Sequence, residues 1–199
     1  MSGDDGPAVG LRERKKAKTR AAIQEHALRL FAQQGYNATT VEQIAAAAEI
    51  SPSTFFRYFP SKEDVVLQDE YDPMIVKAFK EQEAGLGPIA ALREAIHSVF
   101  ANMSAEEVAR QRERFALIQS VPELRVRMLD EFARNVELIA ELVAERVGRR
   151  PDELAMRTFA GALVGAVQAA LLTWADDPTA DHVALIDAAM AHLEAGLPL

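Results

Sequence analysis

Cysteine is absent from the 199-residue chain, which excludes disulfides, thiolate nucleophiles and Cys-built zinc or iron–sulfur centres. A reducing, cytoplasmic setting fits that absence. Glycine and proline are sparse, at 10 and 9 residues, so the chain is no low-complexity or collagen-like polymer. No apolar core segment of a secretory leader appears near the N-terminus, which is polar and then basic. No stretch alternates apolar and polar residues over strand length, so sheets are not expected. What is present is an ordinary globular mixture, 49% hydrophobic and 26% charged, in a chain long enough to bury a core without covalent staples.

The net charge of −8 conceals a division. Residues 1–62 hold 9 Lys/Arg against 6 Asp/Glu, while the remainder holds 13 against 24. Arg12, Arg14, Lys15, Lys16, Lys18 and Arg20 crowd into nine residues. This is a basic head on an acidic body. From Thr158 to Ala175 no formal charge occurs over 18 residues. Alanine and glycine dominate that run, Gln168 and Thr173 interrupt it, and a buried helix interface is expected rather than a membrane span.

Helical periodicity accounts for the rest. Residues 1–10 are aperiodic and read as a disordered arm. A first helix spans Leu11 to Gln34, ended by Gly35 in a left-handed cap. Thr39-Thr40, with Glu42 or Gln43 as the box partner, starts a short helix from Val41 to Ala48. Ser51-Pro52 starts another, a capping hydroxyl followed by Pro in the first turn, and Pro60 stops it at Phe59. Ser61 with Asp64 opens a fourth, whose apolar positions continue through Val65, Val66, Ile75 and Phe79. After the Gly85–Pro88 break come four longer helices: one carrying Ile89, Leu92, Ile96, Phe100 and Met103; one from Ser104 to Val121; one with the regular stripe from Leu124 to Val147; and the small-residue helix after Pro151. A last helix runs from Asp181 to Gly196. The fold class is all-α.

Two short helices joined by a tight turn and seated on a longer first helix form a helix-turn-helix, in which the second short helix can enter the DNA major groove. Its leading residues, Pro52, Ser53 and Thr54, are small, and hydroxyls there can bond base edges while a methyl touches thymine. Arg57, Tyr58 and Lys62 would face the backbone. A lysine in the first turn of a helix opposes the helix dipole, a cost that a phosphate would offset.

The stretch from Thr39 through Tyr58-Phe59-Pro60-Ser61-Lys62-Glu63 resembles the DNA-binding domain of TetR-family transcriptional regulators, with a match over about residues 12–66. The Phe56-Arg57-Tyr58-Phe59-Pro60-Ser61-Lys62-Glu63-Asp64 wording and the Ser120-Val121-Pro122-Glu123-Leu124 segment are similar to a mycofactocin-type, acyl-CoA-responsive subgroup. Carried over by position, the resemblance implies phosphate contacts at Thr40, Tyr58 and Lys62 and base-edge contacts at Pro52, Ser53 and Thr54. Two departures stand out. Glu49 occupies a turn position often filled by Gly, and Phe56 replaces a Tyr, losing a hydroxyl but keeping a ring that can pack on sugar or a thymine methyl. Phe55 and Phe59 are expected in the core.

The resemblance further implies residues 11–60 as the DNA-binding domain and 61–199 as a helical effector-binding and dimerisation domain. Gly161, Gly165 and Ala169 lie on one stripe that suits either a dimer seam or close packing within one subunit. A pocket is expected among Phe79, Phe100, Met103, Phe115, Ile118, Met128, Phe132 and Leu163. His97, Asn135 and Gln168 are placed to orient a ligand or to serve as hydrogen-bonded core residues. No HExxH, GxSxG or P-loop pattern occurs, so no catalysis, cofactor or metal is expected. The reading is a homodimeric repressor on a double-stranded inverted-repeat operator, released by a small apolar or acyl-type effector such as an acyl-CoA. The rival is a helical apolar-ligand carrier or enzyme with a vestigial DNA-binding head.

Overall fold

The structure, a computed structural model, describes residues 6–68, 71–101, 103–177 and 179–198, with side chains from Arg14 onward. Among the described residues every regular element is a helix, ten in all. The chain divides into two compact units, residues 1–69 and 70–199.

The N-terminal unit contains α1 (Gly6–Gln34), α2 (Val41–Ala47), α3 (Pro52–Tyr58) and α4 (Lys62–Leu67). α1 starts earlier than expected. Residues 6–10 are helical rather than part of an arm, since Pro7 falls in the first turn, where its missing N–H forfeits no bond. The expectation for residues 1–5 lies outside the described residues. Gly35 ends α1 at φ +86°, with its N–H donating to the Phe31 carbonyl at 2.9 Å. The division between units falls after α4 rather than at residue 60. The reason is that Val65 and Val66 are fully buried, and the Gln24 amide donates to the carbonyls of Val65 and Gln68 at 3.0 and 2.8 Å.

The C-terminal unit contains α5 (Asp72–Glu81), α6 (Pro88–Phe100), α7 (Ala105–Ser120), α8 (Pro122–Val147), α9 (Leu154–Asp176) and α10 (His182–Glu194). What the sequence reads as one fourth helix is two. Gln68 leaves helical geometry at ψ 125°, and Pro73 restarts the chain within the first turn of α5. α9 packs against α7, α8 and α10, while α6 packs against α5, α8 and α10. Phe79, Leu92, Leu142, Leu163, Ile186 and Met190 meet in the core between them.

Three arginines tie this unit together across long stretches of sequence. Arg112 donates to the carbonyls of Trp174, Asp177 and Ala180 at 2.6, 2.7 and 3.2 Å. Arg146 reaches the carbonyls of Leu86 and Glu83. Arg93 grips Asp187 with two bonds of 2.7 and 3.0 Å, which holds the Asp187 carboxyl below the usual range. Hydrogen bonds to charged groups contribute about 1.5–3 kcal/mol each. α9 is long and apolar enough to cross a membrane by length and composition, yet Met156, Ala160, Leu163, Ala170 and Trp174 on it are buried within the unit. The regular stripe of α8 is only partly covered: Leu124 and Val143 are buried, whereas Phe132 and Val147 are 39% and 40% exposed.

Candidate nucleic-acid interface and effector cavity

The candidate DNA-facing surface begins with two caps. Thr40 caps α2 in a reciprocal box, its hydroxyl accepting from the Gln43 N–H while the Gln43 side chain accepts from the Thr40 N–H. Gln43 rather than Glu42 is therefore the partner. Ser51 caps α3, accepting from the Thr54 N–H at 3.1 Å. Its hydroxyl also lies 2.9 Å from that of Ser53 and 3.0 Å from that of Thr54, so three hydroxyls form one chain at the head of α3. The turn between these helices holds Glu49 at φ +54°, a left-handed conformation that a non-glycine residue adopts with strain.

Beneath this head, Phe55 and Phe59 are fully buried, with ring centroids 6.0 Å apart, and they fix the seat of α3. That matches their expected core role. Pro52, Ser53 and Arg57 are exposed, and Thr54 and Tyr58 half-buried. Phe56 is 51% exposed, standing edge-on to Phe55 at 5.4 Å. A large apolar ring held out beside hydroxyls suits a surface that offers sugar and methyl groups. Arg57 lies 5.5 Å over the Tyr58 ring. Arg14, Lys15, Lys16 and Lys18 are all exposed on α1. Arg20 is turned inward instead, donating to the Tyr58 carbonyl at 3.1 Å and to Gln68 and lying over the Phe59 ring at 4.3 Å.

Lys62 has a role that the sequence reading missed. Its ammonium donates to the carbonyls of Tyr36 and Thr39 at 2.9 and 3.1 Å and sits 4.1 Å over the Tyr36 ring. Two of its three donors thus hold the α1–α2 turn, and at most one remains for a phosphate. The helix-dipole cost is offset inside the unit. Tyr36 in turn donates to Glu63 at 2.9 Å. Burial pushes the Glu63 carboxyl up, but hydrogen bonds from its backbone, Tyr36 and Ser61, with the nearby Lys62 charge, bring it below the usual range. The partners of Lys62 are backbone carbonyls far back in sequence, which leave no side-chain pattern to read.

In the C-terminal unit a cavity of about 150 Å³ is lined by Asp72, Ile75, Val76, Leu92, Ile96, Asn135, Leu138, Ile139, Leu163, Val164 and Val167. Of the residues expected to line a pocket, Asn135 and Leu163 are brought together here. The others are placed elsewhere. Phe79 is buried in the core beneath the Arg146 guanidinium at 5.3 Å. Phe115 and Ile118 are buried on α7, and Met103 is half-buried past the end of α6. Phe100 packs on Tyr71 and His182 at 5.2 Å each. Met128 accepts from the Gln119 amide at 3.9 Å, while Gln168 is half-buried on α9. Phe132 lines a separate open groove of about 490 Å³ with Pro151 and Arg157. His97 is exposed and bonds Asp187 at 3.1 Å. The cavity is aliphatic where the sequence reading favoured aromatics, because α5, α6, α8 and α9 meet through branched side chains.

Gly161 and Gly165 are half-exposed and Ala169 exposed on α9. A Cβ built at either glycine meets nothing within 4 Å. Among the described residues nothing lies close enough to exclude a Cβ at either position. Among the described residues no group of three or more carboxylates and imidazoles comes together as a metal site.

Comparison with known proteins gives a consistent set. The family model described as bacterial regulatory proteins, tetR family, matches residues 23–68. The model described as the MftR C-terminal domain matches residues 86–198. The transcriptional regulator TcmR of Streptomyces glaucescens is 35% identical over 75% of this chain and 68% of its own length. MftR of Mycobacterium tuberculosis is 28% identical over 92% of this chain and 93% of its own. Among solved structures, the repressor FadR of Thermus thermophilus, in complex with lauroyl-CoA, aligns with a TM-score of 0.58 and 25% identity, covering 90% of this chain and 95% of that one.

Proposed function

The chain belongs to the TetR family of bacterial transcriptional regulators, and from that premise we propose that it is a cytoplasmic repressor that leaves an inverted-repeat operator when an apolar or acyl-type effector binds. The observation that carries the DNA-reading role is the head of α3, where Pro52 and Ser53 stand exposed over a seat locked by buried Phe55 and Phe59. Rigid small side chains at a helix start can approach base edges in the major groove. Ser53 and Thr54 read bases, and Phe56 packs on sugar or a thymine methyl. Thr40, Arg57, Tyr58 and the remaining donor of Lys62 hold phosphates. The exposed Lys15, Lys16 and Lys18 add charge toward the duplex.

The family acts as dimers on DNA, and the open face of α9 supports a seam at Gly161, Gly165 and Ala169. α10 extends it with exposed Ala184 and Ala188. Two heads then read half-sites about 34–36 Å apart. The aliphatic cavity is the effector site. A ligand that binds better to a mis-spaced dimer shifts the population away from the DNA-bound state. Lauroyl-CoA bound to FadR supports an acyl-type effector by likeness.

The test is a footprint on DNA upstream of the protein's own coding sequence, repeated with lauroyl-CoA. Protection of two symmetric half-sites, lost on ligand addition, is the expected result. Protection unaffected by lauroyl-CoA and by other hydrophobes would remove the effector from the reading. No protection at any salt concentration would favour the carrier or enzyme alternative.

A further inference from the structure

We infer that Arg20 is a positioning residue for DNA reading: it closes the C-terminal end of α3, ties that end to Gln68, and so sets the angle at which Ser53 and Thr54 meet base edges. The inference rests on the reading of α3 as the base-reading helix and deepens it.

Arg14, Lys15, Lys16 and Lys18 are exposed, whereas Arg20, from the same basic run, is half-buried. The helical period explains the difference. Arg20 precedes Ile23 by three residues and Ala27 by seven, and both are fully buried, so it falls on the inward stripe of α1. There it meets the end of a helix of seven residues. Phe59 leaves helical geometry and Pro60 has no N–H to give, so the last carbonyls of α3 depend on donors from outside the helix. Arg20 Nη1 donates to the Tyr58 carbonyl at 3.1 Å, placing positive charge where the helix dipole favours it. The guanidinium lies 4.3 Å over the ring of Phe59, which helps to seat α3, and Nη2 donates to the Gln68 side chain. Gln24, one turn further along α1, donates to the carbonyls of Val65 and Gln68. A guanidinium is a planar, rigid fork, so one group fixes the last turn of α3 against the end of α4. α3 is ~10 Å long, and a tilt of ~10° about its fixed end would move its leading hydroxyls by ~2 Å, beyond hydrogen-bonding range.

The wild-type chain is used to enrich duplexes from a random-sequence pool. The affinity of each variant for an enriched duplex and for the unselected pool is then measured over a salt series, at a temperature where circular dichroism shows the variant folded. Arg20→Met should bind the enriched duplex about ten-fold or more weakly, the size of one misread base step. Binding to the unselected pool should stay within about two-fold and the salt slope should not change, since no phosphate contact is lost. Arg20→Lys should behave alike, because lysine keeps the charge but not the fork. Lys15→Met, as a control, should weaken both duplexes together and lower the salt slope by about 1. Gln68→Ala removes the partner of Nη2 but keeps the carbonyl that Gln24 holds, and should reduce selectivity by a smaller factor. Wild-type selectivity in both Arg20 variants, or equal losses on both duplexes, would overturn the inference. A salt slope lowered in Arg20→Met and restored in Arg20→Lys would make Arg20 a phosphate contact instead. Selectivity unchanged in Gln68→Ala would overturn the tie to α4. A pool that the wild type does not enrich would overturn the base-reading role of α3 itself.

Discussion

At the head of α3 the exposed small side chains are Pro52 and Ser53, with Thr54 half-buried beside them, whereas along α9 and α10 they include Ala162, Ala169, Ala184 and Ala188. Small size serves different ends on the two surfaces. The hydroxyls at the head of α3 are linked to one another, so they have partners of their own and can still offer hydrogen bonds to a polar groove. The alanines and the open glycines at positions 161 and 165 have no polar side-chain atom to offer. Such a face gains only by close approach of another helix, through van der Waals packing and removal of apolar surface from water. On the proposed reading the first surface leaves its partner and returns, and the second stays joined.

The sharpest way to break that contrast is Gly165→Leu. A Cβ added there meets no described atom within 4 Å, and leucine is about 1 kcal/mol better than glycine in a helix. The monomer should be as stable as wild type or more so. At a two-fold seam the same change is present on both sides, with overpacking of ~1–3 kcal/mol at each. The dimer should dissociate at micromolar protein in sedimentation, and operator affinity should fall by up to ~10²–10⁴ as the second head's effective concentration is lost. A mutant that stays dimeric with unchanged operator affinity would move the seam elsewhere.

Next in size is Arg112→Ala, which releases three carbonyls and uncovers Trp174, over whose ring the guanidinium lies at 4.5 Å. Loss of charged hydrogen bonds of this kind costs ~1.5–3 kcal/mol, to be read as a lower denaturation midpoint. A midpoint unchanged within error would show that water replaces the arginine fully.

These two cases also mark what the sequence disclosed. Local devices were legible: the Thr40 and Ser51 caps, Gly35, and the placement of Phe55 and Phe59 all follow from neighbours within a few residues. The split between α4 and α5 was signalled by Asp72-Pro73, but the apolar run from Val65 to Phe79 hid it. The cavity was not legible, because its walls come from four helices whose facing residues are set by crossing geometry. Two of its polar markers show both sides of this: Asn135 stood out beside a stripe, while Asp72 looked like an ordinary helix start. Arg112 was illegible for the same reason as Lys62, since both bind backbone carbonyls, which every residue carries.

On the DNA side the expected effects are smaller and differ in kind. Thr54→Ala should change base preference at one step per half-site by ~1–3 kcal/mol, measured by binding to operators varied at each position. An equal loss on every sequence would make Thr54 a backbone contact. Lys62→Ala should lower the slope of log affinity against log salt by no more than about 1, and should also destabilise the head by releasing the Tyr36 and Thr39 carbonyls. A lower melting temperature with an unchanged salt slope would make Lys62 a brace alone.

The last expectation concerns acid and a buried histidine of the C-terminal unit. His182 lies 8% exposed at the start of α10, between the rings of Phe100 and Trp174 at 5.2 and 5.1 Å, and its Nε2 is buried without a hydrogen-bond partner among the described residues. Burial pushes its pKa down from 6.5; Asp181 pulls the other way, and Arg112 adds to the depression. The folded state thus prefers the neutral ring, and the unfolded chain binds the proton more readily. Stability is full above the ordinary value of 6.5, declines as pH falls below it, and levels off beneath the folded-state value. The single Trp174, packed on the same ring, reports unfolding of this unit by fluorescence. His182→Phe keeps an aromatic ring in the stack and removes the proton-binding site, so the difference in unfolding free energy between wild type and variant should shift in the variant's favour from pH 7.5 to pH 5.5. A difference independent of pH across that interval would mean that His182 stays neutral, or charged, equally in both states.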